Sequence, residues 1–437
     1  MKTKEINIVG AGLAGSEIAY QLAKRGLKVN LYEGKGKHKN LVQKLETFAE
    51  LVCSNSFRSV SKENAIGILK EELKLLDSLI LKTAYEVQVP GDDALSVDRE
   101  LFSAKITATL LNHPNISIIY DEFTTIDPQQ VTVIAAGPLI SPNFETELKK
   151  LIGNKALYYY DGSAPIITKA GIDFTKAYYG GRHSDQKDYI ICPLTEQEFR
   201  QLVTELVNAK RVIIPAFEKY FKGCQPIEIM AQTSQKILLN GPMSSNKLLN
   251  QNGEQPFAVV QLRQDNVIDS LYNLVGWQTN LTWPEQKRII KQFIPGLADV
   301  EIVRYGVLHK NNYINAPKVL NQYLQFRQNS NIFFAGQIIG VEGYLESAAS
   351  GLLCALNVYQ YMIELPLIKL PSETVLGSLI NYVTNPKQKD LKPMKANIGI
   401  LPTLDTKFSS KSAKNLAIYQ RAMEKLKETI KKYQIEI

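Results

Sequence analysis

The chain is poor in the residues that would staple or plug a fold. Among 437 residues there are four cysteines, four histidines and two tryptophans. Cys53, Cys192, Cys224 and Cys354 lie far apart and form no CxxC pair, which argues against a disulfide framework or a structural zinc site. No run of about 18 uncharged apolar residues occurs, so a transmembrane helix is not expected. No apolar signal core precedes the first strand-like run, so a cytoplasmic protein with free thiols is expected. No low-complexity tract or internal repeat interrupts the chain. Hydrophobic residues make up 45% of the whole, which excludes a disordered protein and suits two or three domains. A net charge of +8 favours polyanion partners only weakly.

What the chain does have begins at residue 6. Ile6-Asn-Ile-Val9 reads as a buried strand and Gly10-Ala-Gly12-Leu-Ala-Gly15 as a tight turn. Ser16 to Arg25 reads as a helix closed by Gly26, and Leu27 to Tyr32 as a second strand ending at Glu33. Each piece has a task in dinucleotide binding. Gly10 permits the turn, Gly12 lets a pyrophosphate approach the backbone, and Gly15 lets helix and strand pack closely. The helix N-terminus offers free N–H groups, and Glu33 an acceptor for a ribose diol. A glycine-rich turn without ligand is the rival reading. Two later segments fit the same site. Val131-Thr-Val-Ile-Ala-Ala-Gly137 reads as a returning strand. Ile332 to Gly351 reads as a strand, a turn through Gly336 and Gly340, then a helix of small residues after Tyr344; ordinary sheet–helix packing is the alternative.

These elements lie at both chain ends, so the middle is expected to be an insertion. The predicted fold is α/β: a Rossmann-like dinucleotide-binding domain from residues 1–152 and 301–437, for FAD or NAD on the motif alone and with FAD favoured by its place at the start of the chain, and an α/β insertion domain over 153–300. Strand-like runs at Tyr189–Cys192, Phe257–Leu262 and Leu271–Val275 and a helix from Thr195 to Ala209 belong to the insertion. Ser244 to Glu254 reads as an exposed polar loop, and Ala413 to Lys432 as an amphipathic, solvated helix. Cys53, among small polar residues, and Cys224, in a turn beside Lys222, are candidate reactive thiols, since a nearby cation favours the thiolate. On residue type alone a cysteine is more often a small buried hydrophobe, the reading given to Cys192 and Cys354. His309 has polar neighbours and suits ring stacking or proton transfer.

Taken together, Leu51-Val-Cys-Ser-Asn-Ser56, Asp98-Arg-Glu100, Gly223-Cys224 with Pro226-Ile-Glu228, Val260 to Asn266, Arg304-Tyr-Gly306 and Gly340-Val-Glu-Gly-Tyr344, added to the glycine turn, resemble the folate- and FAD-dependent RNA (uracil-5-)-methyltransferases. The agreement spans almost the whole chain. The resemblance implies formation of 5-methyluridine, with 5,10-methylenetetrahydrofolate as carbon donor, FAD as prosthetic group and NAD(P)H as reductant. It implies Cys224 and Cys53 as the catalytic pair, one adding to uracil C6 and the other handling the C5 proton or the methylene. It further implies Gly10, Gly12, Gly15, Glu33, Gly137, Gly336, Gly340 and Tyr344 around the cofactor, His309 against the pterin, and no metal. The expected substrate is a tRNA T-loop uridine, with a uridine of 23S rRNA as the alternative. Departures from the family pattern at Gly241-Pro-Met-Ser-Ser, Lys222-Gly-Cys-Gln-Pro226 and His309-Lys-Asn-Asn312 cluster toward the insertion and bear on which RNA is bound. Two further readings are a flavin-dependent NAD(P)H or folate oxidoreductase without RNA, and a non-catalytic RNA-binding flavoprotein. The sequence leaves the oligomeric state open.

Overall fold

Ile6–Val9 is the middle of a five-stranded, all-parallel sheet in the computed structural model. The described residues are 5–38, 42–153, 156–181, 188–212, 225–250, 252–388, 391–404 and 406–437, without the side chains of 156–161 and 308–310. Across the sheet the order is Ile332–Phe334, Thr132–Ile134, Ile6–Val9, Val29–Tyr32, Ile116–Ile119. The first strand, Ile6–Val9, and the last, Ile332–Phe334, thus lie on either side of Thr132–Ile134, which explains why nucleotide-type motifs appear at both chain ends. Helices cover both faces, so the strands carry nearly continuous apolar runs. The chain leaves Ile6–Val9 toward one edge and later returns to the other side. That reversal opens a crevice at the carboxyl ends of the central strands, where ligands bind in such sheets.

Two helices close the crevice side. Leu13–Lys24 follows the glycine turn, and Tyr344–Met362 packs against it. Their close approach depends on small residues: a Cβ at Gly351 would lie 2.7 Å from the Ala14 carbonyl oxygen. One apolar core, including Ile8, Leu22, Val133, Phe333 and Leu352, runs through this half.

The middle of the chain builds a second sheet of six strands, antiparallel throughout, in the order Tyr178–Gly180, Tyr189–Leu194, Ala258–Gln264, Leu271–Leu274, Ile166–Thr168, Ile302–Arg304. Helices Glu196–Asn208 and Trp283–Phe293 bury Phe199, Leu202, Ile289 and Ile290 in a separate core with this sheet. Ala258–Gln264 alternates in character. Ala258, Val260 and Leu262 enter that core, while Gln261, Arg263 and Asp265 are buried on polar surroundings. A small sheet of Ser56–Ser59, Ala94–Val97 and Gln88–Val89 and a two-stranded ribbon, Ala156–Gly162 with Leu308–Ile314, complete the sheets.

The expected elements form, with shifted ends. The Thr195 helix is capped by a reciprocal box in which Thr195 Oγ1 accepts from Glu198 N and the Glu198 carboxylate accepts from Thr195 N. The last helix is longer than expected, Lys411–Tyr433, with Ile418, Ala422 and Leu426 buried. The stretch expected as an exposed polar loop at 244–254 is corrected in part: Ser244, Ser245 and Leu248 are buried, because Leu248 packs with Ile191 and Val259 behind the six-stranded sheet.

Candidate functional site: a dinucleotide cleft beside a cysteine loop

The glycine turn is built as a phosphate cradle. Gly10 has φ +97°, and a Cβ there would lie 2.7 Å from the Ala136 Cα. Gly15 sits so close beneath the turn that a Cβ would fall 1.8 Å from the Gly10 carbonyl oxygen. At Gly12 the direction of a Cβ is open space. Gly12 is also the N-cap of Leu13–Lys24 and supplies no side-chain cap. The helix therefore keeps first-turn N–H groups free to meet an anion. The Glu33 carboxylate accepts from Ala11 N at 3.1 Å and from Lys35 N at 2.8 Å, which fixes it at the end of the second strand.

These residues open onto a cleft with about 1150 Å³ of empty space, open to solvent. Gly10, Gly12, Glu33, Gly137, Gly336 and Tyr344 all line it. Gly15 and Gly340 do not. Gly15 shapes the turn, and Gly340 takes φ +90° against Leu391. A cleft lined by a glycine turn, an uncapped helix N-terminus and a fixed acid fits a dinucleotide such as FAD.

Tyr344, the first residue of its helix, ties the cleft to the cysteine loop. Its hydroxyl accepts from Cys53 N at 2.7 Å and Ser54 N at 3.0 Å. Burial, aided by nearby Cys53, pushes the phenol well above its ordinary range, so it stays neutral. Cys53 is half-buried; its neighbours Val52 and Glu50 line the cleft. The loop is held from behind as well. Arg99 donates to Leu51 O at 2.8 Å and pairs with Asp265 at 2.9 Å. Arg263 donates to Asn55 Oδ1 at 3.0 Å and Ser54 Oγ at 2.7 Å. Asn55 Nδ2 donates to Val97 O and Gln264 O. Arg304 reaches Val42 O and lies within electrostatic reach of Cys53. Arg99, Arg263 and Arg304 received no role from the sequence, although all three lie in stretches that carry the resemblance. The signal was present at Arg263: a charge in the middle of an otherwise apolar strand, in step with Gln261 and Asp265, marks a face turned toward another layer.

Cys192 and Cys354 are fully buried. Burial pushes the Cys192 thiol up to about 12 and Cys354 higher still, as expected for inert core residues. Cys224 lies outside the described residues. The chain on either side of it is anchored to one short stretch: Val212 N donates to Asn280 O at 2.9 Å and Ile227 N to Gln278 O at 2.8 Å. Buried Glu228 accepts from Thr279 Oγ1 and Asn280 N, and burial raises its pKa. His309 is placed by its backbone alone, opposite Asp161 in the ribbon; its side chain lies outside the described set. Three residues on, Asn312 N donates to Pro138 O at 2.9 Å, so the ribbon abuts the cleft wall. No cluster of metal-ligating side chains occurs among the described residues.

A parallel sheet with a glycine cradle at its reversal point defines a Rossmann-type dinucleotide-binding protein with an inserted second sheet. The same architecture occurs in Aquifex aeolicus GidA, at a TM-score of 0.70 and 15% identity over 98% of this chain and 73% of that one. Residues 5–366 match the family Glucose inhibited division protein A. Curated relatives named methylenetetrahydrofolate–tRNA-(uracil-5-)-methyltransferase TrmFO include one from Mesoplasma florum, 56% identical over 91% of both chains, and one from Bacillus subtilis, 46% identical over 99% of this chain and all of that one. The chain belongs to the TrmFO family within that wider group.

Proposed function

We propose that this chain methylates C5 of a uridine in tRNA, drawing the carbon from 5,10-methylenetetrahydrofolate as an FAD enzyme with NAD(P)H as reductant. The observation that carries the reading is the direct tie between the cleft and the cysteine loop: one tyrosine lines the first and holds the backbone of the second. A uridine of the T-loop is the target we favour. The relatives' names speak for tRNA over 23S rRNA, and for an RNA-modifying enzyme over a folate oxidoreductase or a non-catalytic binder. The cytoplasm, where tRNA is modified, is the proposed compartment; no described helix is long and apolar enough to cross a membrane.

Bound FAD supplies the two-electron reduction that turns a methylene into a methyl group. Gly12 and the N-terminus of Leu13–Lys24 would hold its pyrophosphate, Glu33 its ribose, and Gly137 and Gly336 its middle. Tyr344 would stand at the ring end and keep Cys53 in place. Uracil C5 is a poor nucleophile until a thiolate adds at C6, after which the C5 proton must leave. Cys53 and Cys224 divide these two tasks, and His309 stacks on the pterin. Residues 1–152 and the chain after Arg304 would form the FAD-binding domain and 153–304 the insertion that brings Cys224; the expected boundary at 300 moves because Ile302–Arg304 is the edge strand of the six-stranded sheet.

The test is 5-methyluridine formation by purified Cys53→Ala and Cys224→Ala proteins. Each should lose on the order of a hundredfold or more in rate while keeping the flavin absorbance. Parental rates in both variants would overturn the assignment.

A further inference from the structure

Trp283 is 51% exposed, although it opens a helix that buries Ile289 and Ile290 in the core. Its indole lies parallel to the Tyr305 ring, with centroids 5.3 Å apart and planes 15° apart. The pair is held rigidly. The Gln286 amide, on the Trp283 helix, donates to Gly306 O at 2.9 Å and accepts from Gly306 N at 2.7 Å, beside Tyr305. Lys210, whose carbonyl accepts from Thr282 N at 3.0 Å, and Lys287, about one helical turn on from Trp283, are exposed and make no ion pair among the described residues. Arg288, by contrast, is matched by Glu205 and Glu285. Chain connectivity ties this platform to the walls of the cleft. Arg304, next to Tyr305, reaches Val42, and the strand that follows meets the cleft wall at Asn312, three residues after His309. Trp283 also adjoins Gln278–Asn280, to which the Cys224 segment is anchored.

We propose that Trp283, backed by Tyr305, is a stacking platform for a nucleobase of the tRNA next to the methylated uridine, with Lys210 and Lys287 on its phosphates. A flat, pre-fixed aromatic face beside uncompensated cations is the recognition chemistry of an unstacked base and its backbone. A second exposed aromatic stack among the described residues, Phe174 on Tyr179, lacks that character, because its cation Lys169 is already bound by Asp269. The inference rests on tRNA as substrate and not on which cysteine is the nucleophile.

Tryptophan emission reads the proposal directly. The chain has two tryptophans, and Trp277 is 2% exposed in the core. Titrating the FAD-loaded protein with an unmodified tRNA transcript should quench emission, and Trp283→Phe should abolish the quench while binding persists. Trp283→Ala should weaken tRNA binding about tenfold or more, the loss of one base stack, whereas Phe174→Ala should not. Lys287→Glu should lessen the salt dependence of binding. Emission unchanged at saturating tRNA, binding by Trp283→Ala within about twofold of the parent, or quenching by NADPH or methylenetetrahydrofolate but not by tRNA would each overturn the platform. Continued methylation in that case would leave the proposed function standing.

Discussion

At the scale of single residues, the site depends on a few atoms that replace solvent for one another. The Tyr344 hydroxyl is the acceptor for two backbone N–H groups of the cysteine loop. Tyr344→Phe leaves both donors without it, at about 1–3 kcal/mol for each one that stays dry. We expect a lower melting temperature and slower methylation, with FAD still bound, because the ring remains in the cleft wall. Gly15 is less forgiving. A methyl group there meets the Gly10 carbonyl oxygen at 1.8 Å, a backbone atom that cannot give way. Gly15→Ala should purify colourless, and flavin absorbance is the check. Lys70 makes a pH prediction. Burial, with Arg58 nearby adding to it, lowers its pKa from 10.5 to about 7, and its Nζ donates to Phe57 O and Ser59 O. Between those two pH values the unfolded chain binds the extra proton, so stability rises with pH through this window and is lost as pH falls toward 7. Lys70→Met should flatten the melting temperature over that range, by up to about 1.4 kcal/mol per pH unit.

At the scale of elements, most of the first half was legible because period and punctuation agree. Ile6–Val9, the glycine turn and Leu13–Lys24 follow from a buried run, three spaced glycines and a helical apolar stripe. Thr195 and Glu198 announce a helix start in the same way, and the structure builds the box they imply. Thr195→Ala should therefore cost about 1 kcal/mol in urea unfolding. The walls of the candidate site were less legible. Asn55 bonds Val97, Arg263, Gln264 and Asn273, which lie 42 to 218 residues away in the chain; no local pattern reports such a meeting. Burial of Ser244, Ser245 and Leu248 was missed for a related reason: a polar stretch looks exposed until its few apolar residues find a sheet to lie on.

At the scale of the molecule, two cores with different chemistry meet at a polar seam. One half carries a parallel sheet whose strand reversal opens the cleft. The other carries an antiparallel sheet whose polar face supplies Arg263 to the cysteine loop and Asp265 to Arg99 behind it. Asp98 works on both sides of the seam, capping Arg99–Leu111 through Leu101 N and accepting from Val267 N across it. Arg263→Gln should loosen that seam: we expect a reduced melting temperature and a larger loss of methylation than of flavin content, since Arg263 touches the loop and not the cradle.

The central claim is that the methyl carbon of the product comes from folate through this cleft. The most direct measurement supplies purified FAD-loaded protein with a tRNA transcript, NADPH and methylenetetrahydrofolate labelled at its methylene carbon, then digests the RNA and weighs its nucleosides. The account predicts labelled 5-methyluridine, absent when FAD is removed and restored when it is added back. Unlabelled 5-methyluridine, or label transferred only from S-adenosylmethionine, would contradict it.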